Sequence, residues 1–255
     1  IELADIHVVS ADTLATPYDF GAQGSRTAFA VGNACRAGVG DLEPQVLTLA
    51  ARHLGVEEPT LTLRQGAVIA ADGTRVTLAE LARASQVSGG GLIAHGTFVP
   101  PPTAYDAKRV EGHVYPAFHS PSFHAHAVDL SVDAETGEVR IHRYVVAQDV
   151  GFAVNPAGIE GQVEGGVAQG LGQALSEEIV YEGGRVLNAN LTDYKMPTAV
   201  DVPRVQTILV QHPSLVGPFG AKGVGEPPNI EPPAAVANAV ASATGVRVTS
   251  LPITA

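Results

Sequence analysis

Val128-Asp-Leu-Ser-Val-Asp-Ala-Glu-Thr-Gly-Glu-Val-Arg-Ile-His-Arg-Tyr-Val-Val-Ala147 decides what kind of fold this chain adopts. Val128, Leu130 and Val132 alternate with Asp129 and Ser131, so the apolar side chains share one face of a strand. Residues 133–138, Asp-Ala-Glu-Thr-Gly-Glu, carry turn chemistry, and residues 139–147 return as a second strand. The stretch reads as an antiparallel hairpin. Shortly after it comes Asn155-Pro156. Asn is a strong helix cap and Pro suits the first helical position. A hairpin thus runs into a helix, and no regular strand–helix–strand period follows elsewhere. That pattern predicts an α+β fold rather than a doubly wound parallel sheet.

Downstream, the helix opened by Pro156 is expected to reach about residue 177. It contains Gly158, Gly161, Gly165, Gly166, Gly170 and Gly172. Each glycine costs about 1 kcal/mol against alanine in a helix interior. Gly158, Gly161, Gly165 and Ala168 or Gly172 recur at steps of three and four. They mark a small-residue stripe that another backbone or a ligand can approach closely, with Gln162 beside it. Packing against a sheet accounts for most of these glycines; Gln162 is the polar group there suited to a ligand. Gly183-Gly184 reads as a hairpin turn, and residues 205–211 as a buried strand. Gly217-Pro-Phe-Gly-Ala-Lys-Gly-Val-Gly-Glu-Pro-Pro-Asn-Ile230 follows. Four glycines here let the backbone come close to another group, Glu226 follows the last of them, and two prolines fix the exit. A helix over residues 232–244 ends at Gly245, and a last strand is expected over residues 246–251.

Upstream, residues 6–10 read as a strand. Gln23-Gly-Ser-Arg-Thr27 stands just before an Ala-rich apolar segment. A glycine-containing loop that opens a helix suits an anion, with Arg26 as a clamp; Ser25 or Thr27 as an ordinary N-cap is the plainer account. The helix is expected to break or kink between residues 38 and 44, then resume with Leu42, Val46, Leu49 and Ala50 on one face. Residues 61–76 read as strands around the Asp72-Gly73 turn, and Thr77-Leu-Ala-Glu80 as a capping box. A strand is expected near Leu92. The boundary between two subdomains, 1–100 and 101–255, is placed between residues 88 and 116 on composition alone.

The bulk properties exclude several classes. The 255 residues include 15 Lys and Arg against 26 Asp and Glu, a net charge of −11, which argues against a nucleic-acid or anionic-membrane surface. No apolar run approaches a membrane span, and no signal peptide is visible. Cys35 is the single cysteine, so the chain holds no internal disulfide or cysteine-rich metal site. A cytoplasmic location is the expectation, with a periplasmic one left open. His119, His124 and His126 invite a metal reading, and His124 and His126 would share a strand face. No carboxylate or cysteine nearby in sequence completes a ligand set, so surface or strand histidines are the simpler account and a metallohydrolase the weakest functional reading.

Four separated stretches carry a family resemblance. Gln23-Gly-Ser-Arg-Thr27, Asp149-Val-Gly with Asn155-Pro156, Gly161-Gln-Val-Glu-Gly-Gly166 with Gln169-Gly-Leu-Gly172, and Gly220-Ala-Lys-Gly-Val-Gly-Glu226-Pro-Pro228 together resemble the xanthine dehydrogenase/aldehyde oxidase family of molybdenum hydroxylases. Val132-Asp-Ala-Glu-Thr-Gly-Glu138 and Asp193-Tyr-Lys-Met-Pro-Thr198 do so too. Each motif is weak alone; their order and spacing are specific. Phe123-His-Ala-His126 departs from the pattern, where the family often has a small Gly-Ala pair.

The resemblance implies the second molybdopterin-binding domain, the C-terminal part of a large subunit, built of two-layer α/β subdomains. It implies hydroxylation of an aldehyde, an N-heterocycle or a similar electrophilic carbon with oxygen from water. Glu226 is then the general base, a carboxylate tuned upward in a water-poor pocket. Gln23, Gly24, Ser25 and Arg26 contact the cofactor's phosphate or nucleotide tail, in molybdopterin or its cytosine dinucleotide form. Gln162 hydrogen-bonds the pterin, and Lys222, Gly223, Val224 and Gly225 form the wall beside the metal. The metal takes no protein ligand. Iron–sulfur clusters of the [2Fe-2S] type and FAD are expected on partner domains or subunits, along with the other molybdopterin-binding domain. The chain is then a split subunit or a piece of a larger one. A cofactor-binding or assembly module without catalysis is the alternative.

Overall fold

The computed structural model describes residues 1–19, 21–88, 90–99 and 120–254. They form two compact units: Ile1–Gly21 with Ala30–Pro100, and Ala22–Phe29 with Pro101–Ala255. The mixture of helices, antiparallel strands and one parallel pair is the expected α+β fold. The Gly-Ser-Arg loop, expected within residues 1–100, belongs to the second unit, because Ser25 bonds to Glu226. The expected boundary falls largely on residues outside the described set. Among the described residues no helix is long and apolar enough to cross a membrane.

The first unit contains an antiparallel meander of β1 (Leu61–Arg64), β2 (Ala67–Ala70) and β3 (Arg75–Thr77), with helix α2 (Leu78–Ser88) after it. The capping box starts α2 as expected: the Thr77 amide donates to Glu80 Oε2 at 2.8 Å, and the Glu80 amide donates to Thr77 Oγ1 at 3.2 Å. Helix α1 (Thr27–Leu54), whose first turn lies in the second unit, runs unbroken through Pro44. The expected break is corrected by packing. A helical proline costs about 3 kcal/mol, but Val46 and Ala50 are buried against Val68, Val76 and Leu81, with Leu42, Leu47 and Leu49 around them. Each large apolar side chain so buried contributes about 1.5–3 kcal/mol. Residues 6–10 and the Leu92 segment are not strands. Their apolar residues favour extension, but a strand also needs a neighbour to accept its backbone bonds. Leu92 instead packs as a side chain against the first unit's core.

The second unit is organised by a three-stranded sheet in the order β4 (His124–Val132), β5 (Val139–Asp149), β8 (Val205–Val210). The hairpin β4–β5 is antiparallel, and β5 runs parallel to β8. A parallel neighbour needs a crossover, and α3 (Pro156–Leu175) lies in it. Asn155 caps α3 by accepting the Gly158 amide at 3.0 Å. The β4–β5 register shifts at Asp129/Leu130, leaving His142 as the extra residue. A bulge of this kind moves alternation by one position. Val139 and Ile141 therefore share a face with Tyr144, Val146 and Gln148. That face meets α3 and α5 (Pro232–Thr244), which follows the single turn α4 (Pro227–Ile230), with Ile159, Val163, Val167, Leu171, Val236 and Val240 buried between.

Other expectations are refined. The Gly183-Gly184 hairpin is only the short pair β6 (Tyr181–Glu182) and β7 (Arg185–Val186). Strand β8 alternates between covered and open positions rather than being buried throughout. Residues 246–251 are not a strand; Val248 packs its side chain on the core instead. Gly245 closes α5 in the left-handed conformation, as expected.

Candidate functional site

Within the second unit the loop before α1 meets the glycine-rich loop after β8. Ser25 holds a positive φ of 58°, and its half-buried side chain makes two bonds to one residue. The Glu226 amide donates to Ser25 Oγ at 2.7 Å, and Ser25 Oγ donates to Glu226 Oε2 at 2.9 Å. The contact depends on Gly223: a Cβ there would stand 2.3 Å from the Ser25 carbonyl oxygen. A Cβ on Gly225 would lie 3.6 Å from both Gln162 Oε1 and Ser25 Oγ. Ser25, Gln162, Gly223, Gly225 and Glu226 therefore converge. The Ser25 hydroxyl is used on Glu226, not as an N-cap. Gln23, through its carbonyl, accepts the Arg26 amide at 3.4 Å, which turns the chain toward α1. Glu226 is exposed in this chain, so the water-poor surroundings expected for it are not supplied by these residues.

The glycine-rich loop is held from behind. Lys222 is buried and donates to Asp149 Oδ2 at 2.6 Å and to the Pro121 carbonyl at 3.1 Å. Burial would raise the Asp149 carboxyl, but the bonds from Lys222 and the Gly151 amide, with the Lys222 charge, hold it below the usual range. The Lys222 amide donates to the Val150 carbonyl at 3.0 Å, and buried Gln148 Nε2 reaches the Val224 carbonyl at 3.4 Å. The Lys222 ammonium is thus spent inside the protein, leaving the backbone of residues 222–225 to line the site.

The small-residue stripe of α3 is shifted in part from its expected place. The close approach is at Gly166, Gly170 and, as expected, Gly172, where a Cβ would stand 2.7 Å from Pro228 Cβ, 2.6 Å from Pro232 Cγ and 2.8 Å from Pro197 Cδ. Gly158 faces only its own cap, Asn155, and Gly161 and Gly165 have nothing within 4 Å. Gly166 and Gly170 bring the residues just after Glu226 against the helix; Gly161 and Gly165 leave an open face beside Gln162.

His124 and His126 do share a face of β4, and the structure supplies the carboxylate that seemed to be lacking. Glu231, at the start of α5, places Oε1 3.0 Å from His124 Nδ1 and Oε2 3.8 Å from His126 Nε2. His126 Nδ1 lies 2.9 Å from the hydroxyl of fully buried Tyr144. Burial, then the neighbouring His124, pulls the His126 imidazole down to about 4. Burial raises the Glu231 carboxyl, and burial with the Glu231 charge raises the Tyr144 phenol. His119 lies outside the described residues.

Sequence reasoning named Ser25, Gln162, Lys222 and Glu226 but not Asp149 as the partner of Lys222, nor Glu231 and Tyr144. A lysine amid apolar residues and glycines calls for a buried carboxylate, and Asp149 stood in one of the quoted motifs. Glu231 gave no local signal. A depression lined by His142, Arg143, Glu160, Glu164 and Arg204 shares no residue with the Ser25–Glu226 cluster.

Comparison with known proteins shows the family to which the chain belongs. A molybdopterin cofactor-binding domain model matches residues 1–203. The xanthine dehydrogenase molybdenum-binding subunit of Escherichia coli O157:H7 is 34% identical over 257 residues, covering 100% of this chain and 33% of that protein. The carbon monoxide dehydrogenase large chain of Afipia carboxidovorans is 32% identical, covering 92% of this chain and 28% of that protein. The crystal structure of a Cu,Mo-CO dehydrogenase superposes with a TM-score of 0.77 at 31% identity, over 91% of this chain and 28% of that one. The aldehyde oxidoreductase from Desulfovibrio desulfuricans gives 0.70 at 29% identity, over 93% and 23%. The chain spans about a third of the length of the curated relatives it matches.

Proposed function

Since this chain belongs to the molybdopterin cofactor-binding domains of the molybdenum hydroxylase family, we propose that it supplies the general base and one wall of the cofactor site to a larger oxidoreductase. That enzyme hydroxylates an aldehyde, an N-heterocycle or a similar electrophilic carbon with oxygen from water. The observation that carries the reading is the pair of hydrogen bonds between Ser25 and Glu226, which aims a carboxylate beside Gln162 and the Gly223–Val224–Gly225 backbone.

These residues fit a pterin. Gly161 and Gly165 leave open space on α3 where a flat ring system can lie. Gln162 beside them offers an amide donor and an acceptor. Residues 23–26 precede α1, and helix N-termini favour phosphate groups; Gln23, Gly24, Ser25 and Arg26 would hold the phosphate end of molybdopterin or of its cytosine dinucleotide form. The bound cofactor supplies the two-electron oxidation. Glu226 takes the proton from the attacking water-derived oxygen. Ser25 engages Oε2 and leaves Oε1 for that proton, and it holds the carboxylate in one rotamer so that little reorganisation remains at the moment of reaction. Asp149 and Lys222 keep the loop in register. Protein beyond this chain closes the pocket and excludes water from Glu226; the remaining molybdopterin-binding domain, an iron–sulfur component and a flavin component complete electron transfer, most simply in the cytoplasm.

The test is Glu226→Gln in the complete enzyme. Turnover is expected to collapse while molybdenum and pterin contents stay at the parent level. Near-normal turnover would remove Glu226 as the base. Full cofactor with no oxidation of aldehydes or N-heterocycles by the parent enzyme would favour a cofactor-holding module instead.

A further inference from the structure

We propose that His124, His126 and Glu231 form a second metal site, one that binds a divalent transition-metal ion of the zinc class. It is distinct from the Ser25–Glu226 cluster, and its occupant would clamp β4 to the start of α5.

The geometry is that of a ligand set awaiting a small ion. One ligand atom from each of the three residues lies within 4.8 Å of the other two. Tetrahedral zinc with bonds of about 2.0–2.2 Å sets neighbouring donors roughly 3.3 Å apart. Glu231 places one oxygen near each imidazole at a comparable spacing, Oε1 3.0 Å from His124 Nδ1 and Oε2 3.8 Å from His126 Nε2. Two imidazoles and a carboxylate are a common donor set for zinc and neighbouring first-row metals.

Direct pairing does not satisfy these groups. His124 Nδ1, His126 Nε2 and Glu231 Oε2 are buried atoms with no hydrogen bond. His124 Nδ1 stands 3.0 Å from Glu231 Oε1 but makes no hydrogen bond. The His126 side chain is 1% exposed, so it lies away from bulk solvent. Buried polar atoms left unpaired are destabilising; a metal ion engages all three at once.

The surroundings are those of a supported ligand. The Tyr144 hydroxyl on His126 Nδ1 fixes the ring and directs Nε2 toward Glu231. Glu231 precedes α5 but its side chain makes no capping bond, so the carboxylate is committed to the histidines. His124 and Glu231 are 16% and 29% exposed, which gives an ion a path in. Three protein ligands leave a fourth position for water or a further ligand.

The experiment uses the complete protein that contains this chain. It is stripped with a chelator, then titrated with Zn²⁺ alone in competition with a chromophoric chelator, and in parallel with Co²⁺ followed by visible absorption. The expected result is one additional zinc per chain relative to the His124→Gly variant, and a tetrahedral Co²⁺ spectrum that this variant lacks. The melting curve of His124→Gly, taken beside that of the parent, shows that folded proteins are being compared. Glu231→Gln is expected to weaken zinc by more than about tenfold, and Tyr144→Phe, which acts only by orienting His126, by about tenfold. Equal zinc content in the parent and both ligand variants overturns the site, as does a parent that takes up no zinc while its melting curve is intact. Molybdenum content, read in the same samples, is expected to be unchanged by His124→Gly; that readout keeps failure of this site apart from failure of the cofactor assignment.

Discussion

Ser25 and Glu226 lie 201 residues apart and close on each other through two hydrogen bonds, amide to hydroxyl at 2.7 Å and hydroxyl to carboxylate at 2.9 Å. One serine thus fixes both the backbone and the side chain of the proposed base. It does so from a left-handed conformation, which is unfavourable for a residue with a Cβ. The tertiary contact maintains that strain.

Ser25→Ala removes both bonds while keeping the fold. A hydrogen bond to a charged group contributes about 1.5–3 kcal/mol. If Ser25 orients the base in the transition state, kcat falls roughly ten- to hundredfold, with molybdenum content near the parent. Steady-state kinetics on the complete enzyme, with metal analysis of the same samples, checks this. An unchanged kcat would mean that Glu226 needs no such support.

Lys222 and Asp149 form the buried ion pair behind the loop. Lys222→Met leaves the carboxylate buried and uncompensated, which costs about 3–5 kcal/mol. The double variant Lys222→Met with Asp149→Leu should recover much of that loss, since both charges are then gone. Thermal melts of the parent, Lys222→Met, Asp149→Leu and the double variant form the required cycle. The pH dependence has a definite sign. The folded Asp149 carboxyl lies below its ordinary value, so its contribution is complete above the unfolded value of about 3.9 and is lost as pH falls through the lower, folded value. The melting-temperature gap between parent and Asp149→Asn should be flat near neutrality and shrink only below about pH 4.

Gly166→Ala tests the packing of the base-bearing loop. The new Cβ would stand 2.7 Å from Pro228 Cβ and 3.1 Å from the Asn229 amide nitrogen. Overpacking costs about 1–3 kcal/mol, against roughly 1 kcal/mol gained in helix propensity. The net expectation is a lower melting temperature and reduced turnover, because Pro228 lies two residues beyond Glu226.

Local chemistry made much of this fold legible. Asp133 and Gly137 turn the hairpin, Asn155 and Pro156 start α3, Thr77 and Glu80 start α2, and Gly245 ends α5; each depends on residues a few positions apart. The sequence misled where the outcome rests on distant partners. Residues 6–10 and 246–251 have strand composition but no strand beside them, and Pro44 stays helical because α1 buries the residues around it. The site divides the same way. Glu226 and Gln162 stood out through their glycine surroundings. The sequence around Ser25 suits a phosphate contact or a cap, and its bond to Glu226 exists only because residues 201 apart meet. Glu231 is 105 residues from His126, and no spacing rule joins a strand histidine to a carboxylate at the start of a remote helix.

The open face of α3 yields the sharpest test of where the pterin lies. Gly161 has nothing within 4 Å of its Cβ position, so the folded chain alone does not require a glycine there. Gly161→Ala should therefore stabilise the cofactor-free protein, by up to about 1 kcal/mol through helix propensity. A glycine kept at that cost is explained if a ligand occupies the space. Gly161→Leu, which projects further, should then lower pterin and molybdenum content several-fold while leaving the melting temperature of the cofactor-free protein near or above the parent. Gln162→Leu should lower pterin content as well, through loss of the amide rather than loss of space. Cofactor content measured beside the cofactor-free melting curve separates the two causes. Full molybdenum in Gly161→Leu would place the cofactor elsewhere and return the open face of α3 to ordinary surface.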